Sequence, residues 1–131
     1  MTTDFIAETI ADAQLTLDVE AISEDYYACQ ITSPHGEMKR KIRMKPGYEA
    51  PTLDGVLYHY ALIAQNLIEY DDMLEWADDT KRDVAKPEVI KEFKQMVEDE
   101  TDLRKILTEK MFQELLAGLA ISQAINNAMP R

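Results

Sequence analysis

The chain is poor in the residues that most often carry chemistry: among its 131 residues are one cysteine, two histidines and four glycines. Cys29 alone forms no internal disulfide and no thiolate metal cluster; it fits a reducing compartment and reads as a small core residue. His35 falls in a turn and His59 in "LYHYAL", with no second histidine at i+4, so neither a helical metal pair nor a Cys-His nucleophile arrangement is visible. His59 reads as a flank residue of its helix. The glycines make no phosphate loop, and Gly-x-Ser-x-Gly and His-Glu-x-x-His are missing. No catalytic residue, metal or cofactor is therefore expected.

Long apolar runs are missing too. None approaches the roughly 20 residues that cross a bilayer, and "MTTDFIAETI" lacks the basic and apolar regions of a secretory signal. The expectation is a cytoplasmic protein without a membrane partner. Basic residues are outnumbered, 14 against 25 acidic ones, and the net charge of −11 opposes direct DNA binding and favours a basic partner. Apolar residues at 46% suffice for one modest core, which predicts a single domain over 1–131.

What basic charge there is lies together. Lys39, Arg40, Lys41, Arg43 and Lys45 all fall within "MKRKIRMK", residues 38–45. The alternation puts Met38, Arg40, Ile42 and Met44 on one face of a strand and Lys39, Lys41, Arg43 and Lys45 on the other. This strand is the second arm of a hairpin over 26–45. Its first arm alternates at Tyr27, Cys29 and Ile31, and its turn is Ser33-Pro34-His35-Gly36, where Pro presets φ and Gly tolerates a positive φ. Leu15, Leu17, Val19 and Ala21 predict a third strand over 15–21, after a short helix over 3–14 carried by Phe5, Ile6, Ile10 and Ala13.

Beyond Pro51 the period becomes helical. Thr52 is an N-cap for a helix over 53–68, with its stripe at Val56, Leu57, Tyr60, Ala64 and Leu67, expected to lie on the sheet. Asp71 or Asp72 caps a short helix, "DMLEWADD", with Met73, Trp76 and Ala77 inwards. Pro87 opens a helix to about 107, carried by Val89, Phe93, Met96, Leu103 and Leu107. Thr108 interrupts, and a last helix follows over 109–128. The fold expected is α+β: an N-terminal antiparallel sheet of about three strands (15–45), then three to four packed helices (52–128).

Residues 50–79, "APTLDGVLYHYALIAQNLIEYDDMLEWADD", resemble a segment of a group of small phage-encoded accessory proteins of unassigned activity, in which a Pro-Thr-capped helix precedes an acidic stretch ending in Trp-Ala. Residues 89–116, with Phe93, Leu103 and "MFQELL", look like that group's following helices, and the basic strand stands in its usual place. The resemblance covers about 26–116. It departs at "TKRDVAK" and "PEVIK", where a Gly-Tyr-Asp stretch and an Asp-Ser-Arg-Lys start are usual. It implies a phage origin and a target in the host cytoplasm, and brings no catalytic residues.

Three surfaces are candidate sites. Glu69, Asp71, Asp72, Glu75, Asp78, Asp79 and Asp83 concentrate negative charge; as a row, Asp71, Asp72, Glu75, Asp78 and Asp79 would compete for a basic groove, and otherwise they form a solvated face near a helix N-terminus. Lys39, Lys41, Arg43 and Lys45 have three readings. They hold an anionic ligand such as a nucleotide, they answer the protein's own acidic helix, or they keep an edge strand from aggregating. The charge-free tail, with Ala120, Ala124 and Ala128 every four residues beside Leu116 and Leu119, is either an interface between copies, making a homodimer, or internal packing. The leading expectation is a non-enzymatic inhibitor or modulator of a host protein with a basic surface, of the anti-CRISPR or anti-restriction kind. The alternatives are a small-anion-binding protein and an oligomeric assembly protein.

Overall fold

The structure, a computed structural model, describes residues 4–128. It opens with α1 (Asp4–Ala13), so that Thr3, the first residue of the expected helix, lies outside the described residues. Gln14 takes the left-handed conformation (φ 53°) and Leu15 N–H donates to the Ile10 carbonyl at 3.0 Å, which ends the helix and turns the chain into β1 (Thr16–Ala21). β2 (Tyr26–Ser33) and β3 (Gly36–Arg43) follow, and the three strands form an antiparallel meander in the order β1-β2-β3.

The register sorts the sheet's faces. Leu17, Ile31 and Met38 share one row, Val19, Cys29 and Arg40 the next, and Ala21, Tyr27 and Ile42 a third; these point to one side. Ile31, Met38 and Cys29 are buried there, and burial pushes the Cys29 thiol pKa up. Val19 stays exposed, while Leu17 on the same face of β1 packs against the core.

Four helices come after the sheet: α2 (Leu53–Ile68), α3 (Met73–Asp79), α4 (Pro87–Ile106) and α5 (Glu109–Ala128). The α+β architecture expected from the sequence is the one observed. One packing expectation is corrected. The helix across the sheet is α4, which lies along β3 and reaches β2, whereas α2 packs chiefly on α4, with contacts to α5 and α1. The reason is electrostatic as well as apolar, since α4 carries the carboxylates that meet Arg40.

The caps follow from local sequence. Thr52 accepts from Gly55 N–H at 3.2 Å and Asp72 from Glu75 N–H at 2.8 Å, while Thr108 accepts from Met111 N–H at 3.2 Å at the start of α5. Ser33 in the hairpin turn donates to the Ile106 carbonyl at 2.7 Å, so the turn caps the last turn of α4. Gly36 does not have the positive φ expected of it; only Gly47 does among the described glycines. What Gly36 supplies is close approach, since a Cβ there would stand 3.1 Å from the Lys105 carbonyl oxygen.

There are two apolar clusters. The main one joins α1, the sheet, α2, the end of α4 and α5 around Ile6, Leu57, Leu103, Ile106, Phe112 and Leu119. The smaller one pairs α3 with the first half of α4: Trp76 stacks near Phe93, ring centroids 5.1 Å apart, with the Arg82 guanidinium 4.9 Å over the indole.

Candidate functional site

The basic strand divides its charges between two faces. Arg40 points into the fold, where its Nε donates to Asp99 at 2.8 Å, its Nη2 to Asp102 at 2.7 Å and its Nη1 to the Lys39 carbonyl at 2.7 Å. Gln95 also donates to Asp99, at 3.0 Å, and Lys105 sits 3.3 Å from Asp102. Burial alone would raise the Asp102 pKa, but the hydrogen bonds and charges of Arg40 and Lys105 outweigh it and hold the carboxyl below its ordinary range. Arg40, on the apolar face and outside the four candidate cations, thus pairs with α4 rather than α3; of those four, only Arg43 makes an ion pair among the described residues, with Asp25.

Lys39, Lys41 and Arg43 lie on the open face of the sheet. Lys39 shares a row with Gln30 and Asp18, and Lys41 with Ala28 and Glu20. Arg43 is held by Asp25 at 3.0 Å and its guanidinium stands 5.9 Å from the Tyr26 ring centre. Lys39, Lys41 and Lys45 make no ion pair among the described residues, and Lys45 lies beyond the strand's end.

In the acidic segment, three of the five candidate carboxylates have local structural work. Asp72 caps α3, Glu75 reaches back to accept from Asp71 N–H at 3.0 Å, and Asp79 accepts from the Tyr70 hydroxyl at 2.7 Å. That last bond is the main reason the Tyr70 phenol pKa is raised. The carboxylates of Asp71 and Asp78 have no side-chain partner among the described residues. Trp76 and Ala77 turn inwards, which leaves Leu74, 64% exposed, on the outer side of the helix one turn before Asp78. Its sequence signal is the leucine set among the acids of "DMLEWADD".

The tail is corrected in part. Leu116 and Leu119 are buried in the protein's own core and are not available to a second copy. The close helix approach that small residues permit is intramolecular and falls at Gly118, where a Cβ would stand 2.6 Å from the Phe5 Cβ of α1. Ala120, Ala124 and Ala128 are exposed, together with Ile121 and Ile125.

A further feature lies outside the regular elements. Residues 44–52 arch from the end of β3 to the start of α2 and leave a cleft of about 710 Å³ beneath them. Ile42, Met44, Pro51 and Val56 give it an apolar lining, and the rings of Tyr48 and His59 border it. Lys41 and Arg43 line it as well, with Glu49 as its one carboxylate; Lys39 does not. Tyr60 also lines the cleft, and burial, seconded by the charge of Asp99, pushes its phenol pKa up to about 12. The available signal was an aromatic, Tyr48, between Gly47 and Pro51, followed by the adjacent His59 and Tyr60 about two helical turns beyond Thr52. Among the described residues no group of three His, Cys, Asp or Glu is placed to hold a metal ion, and no helix is long and apolar enough to cross a membrane.

No protein-family model matches the chain, and neither the curated proteins nor the solved structures contain a match to it.

Proposed function

We propose that the protein is a non-enzymatic binding protein that docks onto a basic surface of another protein through the outer side of α3. The observation behind this reading is Leu74, a large apolar side chain left 64% exposed on an acidic helix, with Asp78 one turn along and Glu75 next to it in the chain. An apolar anchor rimmed by charge is the anatomy of a protein interface, where the anchor supplies affinity and the rim steers approach and orientation. A purely electrostatic mimic of nucleic acid has no use for that leucine. The net charge of −11 favours a basic partner of the same kind. With the resemblance to phage accessory proteins, the reading extends to a partner in the host cytoplasm: a nucleic-acid-binding defence complex of the CRISPR or restriction kind, inhibited or modulated by occupation of its basic groove.

The test is affinity capture from an infected host, followed by binding of the purified target to variants. Leu74→Asp should weaken binding about tenfold or more, and the double reversal Asp71→Lys with Asp78→Lys should slow association and flatten its salt dependence. Binding unchanged in both variants would refute the α3 surface as the site.

A further inference from the structure

The cleft under residues 44–52 has the features of a built site. Its volume of about 710 Å³ falls within the range of roughly 300–1,000 Å³ typical of small-molecule pockets. Its apolar side comes from β3 and α2 through Ile42 and Val56, joined by Met44 just past the strand, so it is formed by regular elements as well as by the linker. Tyr60 gives an independent pointer. Its side chain belongs to the buried core, at 5% exposure, yet its hydroxyl has no hydrogen-bond partner among the described residues. No fully buried side-chain oxygen or nitrogen among those residues lacks a partner. The phenolic oxygen is therefore not fully enclosed, and Tyr60 is one of the residues that line the cleft. With its pKa at about 12 the phenol stays protonated at physiological pH and can donate.

The charges around the opening are Lys41, Arg43 and Glu49, with His59 beside them. Asp25 already holds Arg43, which leaves Lys41 as the cation without an ion-pair partner among the described residues. We infer that this cleft binds a small amphipathic anion: a flat apolar body lodged against Ile42, Met44 and Val56 between the Tyr48 and His59 rings, with one phosphate or carboxylate at Lys41 and a hydrogen bond from Tyr60. Lys39 takes no part, although it stands two residues away on the same strand face. The inference is independent of the α3 docking surface.

8-Anilinonaphthalene-1-sulfonate, a flat aromatic anion, is the probe, with adenosine monophosphate and 2-naphthoate as competitors. Its fluorescence should saturate at one site per chain. Lys41→Glu should weaken it at least fivefold, Tyr60→Phe about fivefold, and Ala50→Trp, which fills the opening from an exposed linker position, should abolish it. Lys39→Glu and Leu74→Asp should leave it unchanged. Displacement by adenosine monophosphate alone assigns a phosphate ligand, and displacement by naphthoate alone a carboxylate. The inference is overturned by non-saturable fluorescence, by displacement with neither competitor, by full binding to Ala50→Trp, or by Lys39→Glu weakening the probe as much as Lys41→Glu.

Discussion

Replacing Arg40 by methionine tests the central electrostatic feature of the fold. The guanidinium side chain is 15% exposed and uses all three nitrogens, two of them on carboxylates that are 7% and 18% exposed. Removing one member of a buried ion cluster leaves the others desolvated and uncompensated, which typically costs 3–5 kcal/mol. Asp99 keeps Gln95 and Asp102 keeps Lys105, so the lower end applies, about 3 kcal/mol. For a domain of this size that corresponds to a fall of about 10 °C in Tm. Urea unfolding followed by circular dichroism and Trp76 fluorescence measures it. The triple variant Arg40→Met, Asp99→Leu, Asp102→Leu should recover most of the loss, because exchanging a whole buried ion cluster for apolar groups is often neutral or stabilising. Acid provides a second readout. The Asp102 pKa is depressed in the folded state, so its contribution is full above the unfolded carboxyl value near 3.9 and is lost as pH falls through the folded value. The gap between wild type and Arg40→Met should therefore be widest at neutral pH and close progressively below about pH 4. A single-variant loss under about 1 kcal/mol, or a gap that stays constant into acid, would refute this account of the triad.

Gly118→Ala should destabilise by about 2 kcal/mol in a thermal melt, although alanine is the better helix former by about 1 kcal/mol, because the new Cβ collides with the Phe5 Cβ. Raising the pH should remove a stabilising contribution of Tyr60 between about pH 10, its unfolded value, and about 12, since the raised pKa favours the folded state only while the phenol is protonated. Tyr60→Phe should lack that alkaline loss when stability is measured across the window. If copies associate through the tail, Ile125→Asp should reduce the mass seen by light scattering without lowering Tm, because Ile125 is half exposed; Leu119→Asp would instead unfold the protein.

Much of the fold was legible because its local rules agree with one another. The alternation from Met38 gives both β3, which ends at Arg43 rather than at Lys45, and its two faces; the Thr52 and Asp72 caps stand where the sequence puts them, and the Thr108 break separates α4 from α5. What the sequence left open is which helix covers the sheet, because α2 has the richer apolar stripe and is the obvious candidate. The deciding signal was present as two interruptions of opposite sign. Arg40 stands on the apolar face of β3, and Asp99 stands on the stripe of α4, between Met96 and Leu103. Each is unfavourable alone, and burial of both requires that they meet. The cleft could not be found in this way. It depends on the path of a linker without regular structure, and no periodicity reports where such a segment passes.

The triad also explains how a helix as polar as α4 can hold a central place. Apart from Asp99, α4 fully buries only Val89, Leu103 and Ile106, and these belong to different clusters: Val89 packs with Trp76, while Leu103 and Ile106 join the main core. Asp99 lies between the two groups along the helix. An apolar residue there would let α4 rotate or slide against β3 with little penalty, because greasy contacts are not directional. A fork of hydrogen bonds from Arg40 to residues three apart fixes both rotation and register. Fixing α4 in turn sets Phe93 against Trp76, and so sets where α3 presents Leu74. The expected contribution of the triad is specificity of arrangement more than net stability. The triple apolar variant is the case that separates the two: restored Tm with a changed Trp76 emission maximum would show that the ion cluster positions α3, and restored Tm with unchanged emission would show that apolar packing alone is enough.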